Sequence, residues 1–298
     1  MRNYLLFIIV ICCNSLFAQD TLTVMYYNIL NFPNSSNSNS QGNDGARAIA
    51  FREIIEESNA DIIMVQELKN STGADILLTE LNNNALGKVY DRAPVYTGYG
   101  GLGNMLFYNT NSSDLIQQAE VPRINSANAP NGNLFIAPRA NSYYELELFS
   151  PSNPADKDTV HLFSGHFKSS DGGGNNSTIA DKEWRALSAK DMLDYINTNL
   201  TPSDNVIAGG DFNFYGYQAS VEPAYDSLMN NTSYSMQLLD AQGPWTREDA
   251  SPSNVCKYTQ STRTSQGEYG NNGASSGLDD RFDFILMSDA INLSLIHI

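Results

Sequence analysis

The sequence predicts an α/β fold: a four-layer α/β sandwich in which two mixed β-sheets pack face to face with helices on their outer surfaces. Short apolar runs typical of strands alternate along the chain with longer segments of helical periodicity, and this alternation favours helices outside packed sheets. The chain has 298 residues, of which 41% are hydrophobic. That length and composition suit one large domain with a substantial core.

Several predicted strands carry polar residues at one end, where α/β folds build their sites. The five runs are residues 22–27 ending at Asn28, 61–65 followed by Gln66 and Glu67, 159–165 ending at His166, 206–208 leading into Gly210-Asp211-Phe212-Asn213, and 284–287 preceded by Asp283. Residues 102–108 and 143–149 are also predicted strands. Taken singly, each polar residue has a structural alternative, such as Asn28 in a turn or Glu67 at a helix start.

Two helices are predicted between these strands. One covers residues 46–58 with Ile49, Ile54 and Ile55 on its inner side, and the other covers residues 181–198. Asn/Ser-rich residues 34–43 and Gly-rich residues 172–177 are predicted loops that flank the shared site, where loops usually carry specificity.

The Gly210-Asp211-Phe212-Asn213 sequence is the most informative of these strand ends. Residues two apart on a strand face the same way, so Asp211 and Asn213 would project together. A carboxylate beside a neutral amide suits hydrolysis of a phosphate ester, because one handles a metal or water and the other donates hydrogen bonds to a phosphoryl oxygen. The alternative is a turn, which Gly, Asp and Asn all favour.

The ordered set resembles the endonuclease/exonuclease/phosphatase superfamily, the fold of deoxyribonuclease I and the abasic-site endonucleases. The resemblance is carried by Tyr27-Asn28, Gln66-Glu67, His166 with Lys168-Ser169-Ser170, Gly210-Asp211-Phe212-Asn213 and Arg281-Phe282-Asp283-Phe284-Ile285. It implies a domain over residues 20–292. Gln-Glu followed by Gly-Asp-Phe-Asn is fairly specific to the superfamily, but it does not separate nucleases from phosphatases and phosphodiesterases.

The chain departs from the superfamily pattern at its end. The pattern closes with Ser-Asp-His some way beyond the acid that matches Asp283, and no such sequence is present here. Residues 293–298, which include His297, also match what a common transposase sequencing adapter encodes. We therefore expect the domain to be incomplete at its C-terminus, residues 293–298 to be a non-native tail, and this fragment itself to be inactive.

The resemblance implies a metal-assisted attack of water on a phosphoester. Glu67, with Asn28 close by, would hold Mg²⁺ or Mn²⁺, with Ca²⁺ as a further candidate. Asp211 would orient or deprotonate the water, and Asn213 would hydrogen-bond the phosphoryl group. His166, as an imidazolium, would stabilise charge in the transition state or protonate the leaving group.

Three further residues receive roles from the resemblance. Asp283 would fix a catalytic imidazole or contribute to the metal site. Arg139, which matches in order an arginine that touches phosphate in deoxyribonuclease-like members, would bind substrate; the alternative is a solvated loop residue. Lys168 would also meet a phosphate, or else extend its charged end into solvent along an apolar surface.

Charge and composition limit the substrate classes. The formal net charge is −16 and the sequence pI is about 4.4, which argues against a broad basic surface that grips nucleic acid. A nuclease or phosphodiesterase that makes brief contacts with DNA remains compatible, because bound cations offset repulsion locally. The alternatives are a phosphatase or phospholipid phosphodiesterase of the same fold, or a non-catalytic binding module. We expect a monomer.

The N-terminus predicts export. Met1-Arg2-Asn3 gives a positive start, residues 4–13 are apolar, and Leu16-Phe17-Ala18 precedes a cleavage site, so residues 1–18 are interpreted as a signal peptide. A membrane anchor is the alternative, but the run is short for a bilayer span, and we expect no stable membrane insertion. The protein would then be secreted or periplasmic.

Overall fold

The computed structural model describes residues 21–33, 44–94, 96–97, 101–123, 137–169, 181–214, 222–230, 232–240 and 281–291, together with residues 242, 245 and 259. The predicted signal peptide at residues 1–18 and the predicted tail at residues 293–298 lie outside the described residues, as do both predicted flanking loops.

Eleven described strands form two sheets. Sheet 1 has the order β1-β2-β5-β3, with β4 also paired to β5. Sheet 2 has the order β10-β11-β9-β8-β7-β6. The β1–β2 and β8–β9 pairs are parallel and the other pairs are antiparallel, so both sheets are mixed. The strands are β1 (Val24–Phe32), β2 (Ile62–Leu68), β3 (Tyr90–Arg92), β4 (Tyr96–Thr97), β5 (Gly103–Asn109), β6 (Ser113–Glu120), β7 (Ser142–Ser150), β8 (Asn153–His166), β9 (Asn205–Asp211), β10 (Leu238–Asp240) and β11 (Asp283–Ser288).

Four described helices cover the outer faces: α1 (Asp44–Ser58), α2 (Ser71–Leu81), α3 (Asp181–Asn199) and α4 (Pro223–Asn230). The Asn70 side chain caps α2 by accepting a hydrogen bond from the Gly73 amide at 2.9 Å. Apolar side chains of α1 and α2 belong to the core of sheet 1, and those of α3 and α4 pack on sheet 2. Among the described residues, no helix combines the length and the apolar character that a membrane span needs.

Neighbouring residues of β1 show that the two sheets face each other. Tyr26 points from sheet 1 into sheet 2, where its hydroxyl donates to the carbonyl of Phe163 at 3.0 Å. Tyr27 points the other way, and its ring meets that of Phe51 on α1 at 5.8 Å. The layers therefore run from α1 and α2 through sheet 1 and sheet 2 to α3 and α4, which confirms the predicted four-layer α/β sandwich.

Two local predictions were wrong. In α1, Ile49 and Ile54 are 41% and 36% exposed, whereas Ala48, Phe51 and Ile55 are buried. Apolar residues occur on several sides of this helix, so the sequence fits more than one inner face. Strand β8 also starts earlier than residue 159, since it continues back to Asn153 in a hairpin with β7. That early part is exposed, so it needs no apolar pattern.

Candidate active site

Three of the predicted site residues form one row across sheet 2. His166 at the end of β8 is the register partner of Asp211 at the end of β9, and Asp283 at the start of β11 is the partner of Asp211 on its other side. Neighbouring strands lie about 4.8 Å apart. The row therefore places an imidazole and two carboxyl groups side by side at one edge of the sheet.

Two glycines before Asp211 allow this edge to pack closely. A Cβ at Gly210, whose φ is 130°, would lie 2.1 Å from the carbonyl oxygen of Gly165. A Cβ at Gly209 would lie 2.5 Å from the carbonyl oxygen of Phe284 and 2.9 Å from the Tyr26 ring. Only glycine fits at both positions. The two glycines therefore allow β9 to pack closely against β8 and β11 and against Tyr26 of sheet 1.

Sheet 1 contributes Asn28 and Glu67 to the same edge. The Asn28 amide nitrogen donates to Glu67 Oε1 at 2.9 Å and to Asp211 Oδ2 at 2.8 Å. One neutral side chain thus joins two carboxylates that come from different sheets. The imidazole Nε2 of His166 lies 3.6 Å from Glu67 Oε1 and 3.9 Å from Asp211 Oδ2, which closes the cluster from the side of β8.

Three residues on the sheet 1 side of the cluster have left-handed backbone conformations. Leu30, Asn31 and Glu67 have φ values of 50°, 53° and 64°. In this conformation the Leu30 amide donates to Asn28 Oδ1 at 2.8 Å, and the Asn31 amide donates to Glu67 Oε2 at 3.0 Å. Non-glycine residues seldom adopt such angles outside sites that need them. Here they aim backbone N–H groups at the two side chains that face sheet 2.

Asn213 lies beside Asp211, as predicted. Asn213 has a φ of 52°. Its backbone N–H donates to Asp211 Oδ1 at 3.2 Å, and its side-chain Nδ2 donates to the Phe167 carbonyl at 3.3 Å. Below it, the rings of Phe167 and Phe212 stack with their centroids 4.4 Å apart. This packing fixes the segment after His166 against the segment after Asp211.

The two predicted substrate-binding cations occupy different surroundings. Arg139 donates to the Phe167 carbonyl at 2.7 Å and is close enough to Glu67 and Asp211 for both to interact with its charge. Burial lowers the pKa of Arg139, and those two carboxylates oppose the shift. Lys168 pairs instead with Asp181 on α3 at 3.3 Å. The structure thus brings Arg139 to the cluster and gives Lys168 an acidic partner on α3.

Burial dominates the electrostatics of the row. It raises the pKa of Asp211 to about 6; the Asn28 hydrogen bond opposes the shift, Glu67 adds to it and Arg139 opposes it. Burial and the neighbouring Asp211 raise the pKa of Asp283 well above its usual range, and Asp283 Oδ1 is buried with no hydrogen-bond partner among the described residues. Two adjacent carboxyl groups in such a site resist ionising together.

His166 differs from its predicted charge state. Burial, and then the nearby charge of Arg139, lower its pKa well below 6.5. The ring is therefore neutral near pH 7 in the substrate-free protein, whereas the sequence interpretation assigned an imidazolium. The physical reason is that the ring is buried beside a guanidinium, and that environment disfavours a second positive charge.

The cluster fits a hard divalent cation. Ligand atoms of Glu67, His166 and Asp211 all lie within 4.8 Å of one another. Carboxylate oxygens are the donors that Mg²⁺ and Mn²⁺ prefer, and a cation would offset the repulsion by which Glu67 raises the pKa of Asp211. Asn28 was predicted to be a ligand, but its oxygen accepts from Leu30 and its nitrogen faces the carboxylates. That orientation makes it a donor that holds the ligands in place.

Sequence reasoning missed two contributors. Arg47 on α1 donates to the carbonyls of Ile29 and Leu30, behind the left-handed turn. Thr259 accepts from the Asp283 amide at 2.8 Å and anchors the start of β11. A basic residue in the first turn of a helix opposes the helix dipole, and this was the signal that could have identified Arg47.

Comparison with known proteins agrees with this architecture. The model of the Endonuclease/Exonuclease/phosphatase family matches residues 25–294. A search of curated proteins found no match. Three solved structures share the fold at low sequence identity. The human Nocturnin catalytic domain with bound sulfate has a TM-score of 0.56 and 16% identity, covering 90% of this chain and 83% of that one.

The other two solved structures are of bacterial and fish origin. A Bacteroides thetaiotaomicron endonuclease/exonuclease/phosphatase family protein has a TM-score of 0.54 and 16% identity, covering 90% of this chain and 83% of that one. D. rerio TDP2 in complex with a single-stranded DNA product has a TM-score of 0.51 and 15% identity, covering 91% of this chain and 84% of that one.

Members of the matched family hydrolyse phosphoester bonds and generally depend on a divalent metal. The family match extends over most of the sequence, the two mixed sheets have the expected architecture, and the strand ends bring the family's motif residues together. This chain belongs to the endonuclease/exonuclease/phosphatase family.

Proposed function

We propose that the protein is an exported hydrolase that uses Mg²⁺ or Mn²⁺ to cleave phosphodiesters, with DNA as the first substrate to test. One observation carries the proposal: the Asn28 amide joins Glu67 and Asp211 across the two sheets, and His166 stands within 4 Å of both carboxylates. Export rests on the predicted signal peptide at residues 1–18.

The side chains of the cluster divide the chemistry between them. Glu67 would hold the metal ion, which when bound would neutralise phosphate charge and stabilise the leaving oxygen. Asp211, whose pKa is raised to about 6, is ionised at pH 8 yet basic enough to take a proton from water. Asn213 offers a neutral amide that adds no negative charge beside a phosphoryl group.

His166 and Asp283 would supply hydrogen-bonding groups beside Asp211. The neutral His166 ring can donate from one nitrogen and accept at the other. Burial and the neighbouring Asp211 raise the pKa of Asp283 well above its usual range, which favours the protonated form, and a protonated carboxyl group can donate a hydrogen bond into the row. Arg139 lies beside Glu67 and Asp211 with its positive charge partly desolvated, which suits an electrostatic contact with a phosphate oxygen.

Charge favours a second candidate within the same reaction class. A net charge of −16 gives long polyanions little electrostatic help in binding, so a small phosphoester is the alternative substrate. The single-stranded DNA product in the D. rerio TDP2 structure supports a nucleic acid ester instead. The two predicted loops that would distinguish these substrates, residues 34–43 and 172–177, lie outside the described residues.

A release assay tests the proposal. Protein expressed from the full-length gene is incubated with plasmid DNA, a lipid phosphodiester and a simple phosphate monoester, each with Mg²⁺, with Mn²⁺ and with a chelator, and Asp211→Asn serves as the inactive control. We expect metal-dependent hydrolysis of the DNA. Preferential release from the monoester would favour the small-phosphoester alternative. Hydrolysis that survives exhaustive chelation, or no hydrolysis of any substrate, would contradict the proposal.

A further inference from the structure

Arg47 occupies an unusual place for a cation. It lies in the first turn of α1, where the helix dipole favours acidic residues, and its side chain is only 18% exposed. The guanidinium donates from Nη2 to the carbonyl oxygen of Ile29 and, at 2.7 Å, to that of Leu30. It also lies 5.0 Å from the centre of the Phe32 ring. All of these partners belong to β1, immediately after Asn28.

The backbone that Arg47 contacts is the left-handed turn at Leu30 and Asn31. β1 loses its regular pairing with β2 between Asn28 and Phe32, and Leu30, a residue with no intrinsic preference for positive φ, has a φ of 50°. Such a conformation persists only where surrounding contacts enforce it. Arg47 supplies those contacts, because it binds the carbonyls that this turn directs away from the site.

The amides of the same turn point toward the site. The Leu30 amide binds Asn28 Oδ1 and the Asn31 amide binds Glu67 Oε2, at 2.8 and 3.0 Å. The first contact fixes which end of the Asn28 amide faces the carboxylates, and the second fixes the Glu67 carboxylate itself. Each peptide unit in the turn is therefore held by Arg47 on one side and holds a site residue on the other.

We infer that Arg47 is a positioning residue that sets the geometry of Glu67 and Asn28 for the metal ion by holding the carbonyls of the left-handed turn at Leu30 and Asn31. The inference rests on the proposed metal-dependent function and deepens it. Arg47 touches neither metal nor substrate in this role, and its effect passes through backbone hydrogen bonds.

If Arg47 acted only through its charge, its removal would change Mg²⁺ affinity in the opposite direction. Burial lowers the pKa of Arg47, and Asp44, Tyr27 and Glu67 in turn raise it, so the guanidinium lies within electrostatic range of Glu67. A positive charge at that distance repels a cation, and its removal alone would strengthen metal binding. Removal of a positioning contact would weaken metal binding. The direction of the change in Mg²⁺ affinity therefore separates the two roles.

The test measures Mg²⁺ affinity without relying on turnover. Arg47→Met and Arg47→Lys are compared with Arg52→Met, a matched control on the same helix whose side chain is 23% exposed and pairs with Glu56 and Glu80 away from the turn. Mg²⁺ affinity is obtained from the rise in melting temperature as Mg²⁺ is added to chelator-treated protein. Loss of an outer contact that orients metal ligands typically weakens metal binding about 10–100-fold. We expect that loss for Arg47→Met, a smaller loss for Arg47→Lys, and a change within about twofold for Arg52→Met.

A second-site change tests the role of the turn. Leu30→Gly removes the side chain that disfavours positive φ, so Arg47→Met combined with Leu30→Gly should recover part of the Mg²⁺ affinity. Leu30→Ala in the same background keeps the conformational cost and should recover none. Unchanged or tighter Mg²⁺ binding by Arg47→Met, with wild type responding normally, would overturn the inference alone. Absence of any Mg²⁺ response in the wild type would refute the proposed function and this inference with it.

Discussion

Asp211→Asn should make the metal-free protein more stable while removing its activity. Asp211 is 8% exposed, and burial together with Glu67 raises its pKa from 3.8 to about 6 despite the hydrogen bond from Asn28. A carboxylate in this position carries an electrostatic cost that the folded protein bears whenever it is ionised. Asparagine has nearly the same shape and carries no charge, so the substitution removes that cost.

The size and pH dependence of the effect follow from the pKa. The rise of the Asp211 pKa from 3.8 to about 6 corresponds to about 3 kcal/mol. Because the folded pKa is raised, the folded state binds the extra proton between about pH 4 and pH 6, and wild-type stability falls as the pH rises through that window. The two oxygens of Asp211 accept hydrogen bonds from the Asn28 side chain and from the backbone N–H of Asn213. Asparagine has only one side-chain oxygen, so the variant loses one of these hydrogen bonds, at a cost of about 1 kcal/mol. The net gain is therefore about 2 kcal/mol at pH 8 and disappears near pH 4.

The measurement is urea unfolding of both proteins in chelator at pH 4, 6 and 8. Asp114→Asn, on the exposed strand β6, controls for deletion of one negative charge. Added Mg²⁺ should stabilise the wild type more than Asp211→Asn, because a cation offsets the charge of an ionised Asp211, and hydrolysis by the variant should fall about 10²–10⁴-fold. A variant that is less stable than wild type at pH 8, or one that retains activity, would refute the electrostatic reasoning.

Three further predictions concern other contacts. Glu67→Gln should reduce activity most at low Mg²⁺, and full activity at limiting Mg²⁺ would exclude Glu67 as a ligand. Because Arg139 lowers the pKa of His166, Arg139→Met should raise that pKa, which NMR titration of the ring would detect; an unchanged or lower value would contradict this. Arg185→Met leaves Glu222 buried without the cation 2.7 Å away and should cost about 3–5 kcal/mol in urea unfolding. Adding Glu222→Gln should recover much of that loss, and an equally unstable double variant would be inconsistent with a charge effect.

The row of site residues could be predicted because each member ends or begins an apolar strand. His166, Asp211 and Asp283 each lie at the end of an apolar run in the sequence. Such a run forms a strand, so its terminal polar residue lies at the end of that strand, beside the terminal residues of the paired strands. Strand pairing then determines which ends meet. The fold class followed from the same alternation of strands and helices.

Not every feature was predicted correctly. The predicted inner side of α1 was wrong because Ile49, Ile54 and Ile55 point to different sides of a helix that turns about 100° per residue, whereas Ala48, Phe51 and Ile55 lie within about 60° of one another. The left-handed φ of Leu30 could not be predicted, since leucine disfavours it and tertiary hydrogen bonds impose it.

The charge of His166 and the orientation of the Asn28 amide were missed for a related reason. Both depend on partners far away in sequence: Arg139 for the ring, and Glu67 and Asp211 for the amide. Spacing along the chain shows which residues can reach a site, but it does not show which hydrogen bonds or charges each will meet there.

The division of the cluster between two sheets bears on when the site comes into existence during folding. Asn28 and Asp211 are 183 positions apart in the chain, and they meet only where the edges of the two sheets come together. Glu67 comes from sheet 1, and His166 and Asp211 come from sheet 2, so a chain that has formed either sheet alone offers a cation no complete site. A bound Mg²⁺ would then act only after the two sheets have met, and it would slow their separation without hastening their formation. Under the proposed function, a metal ion would stabilise the folded protein and would not take part in forming it.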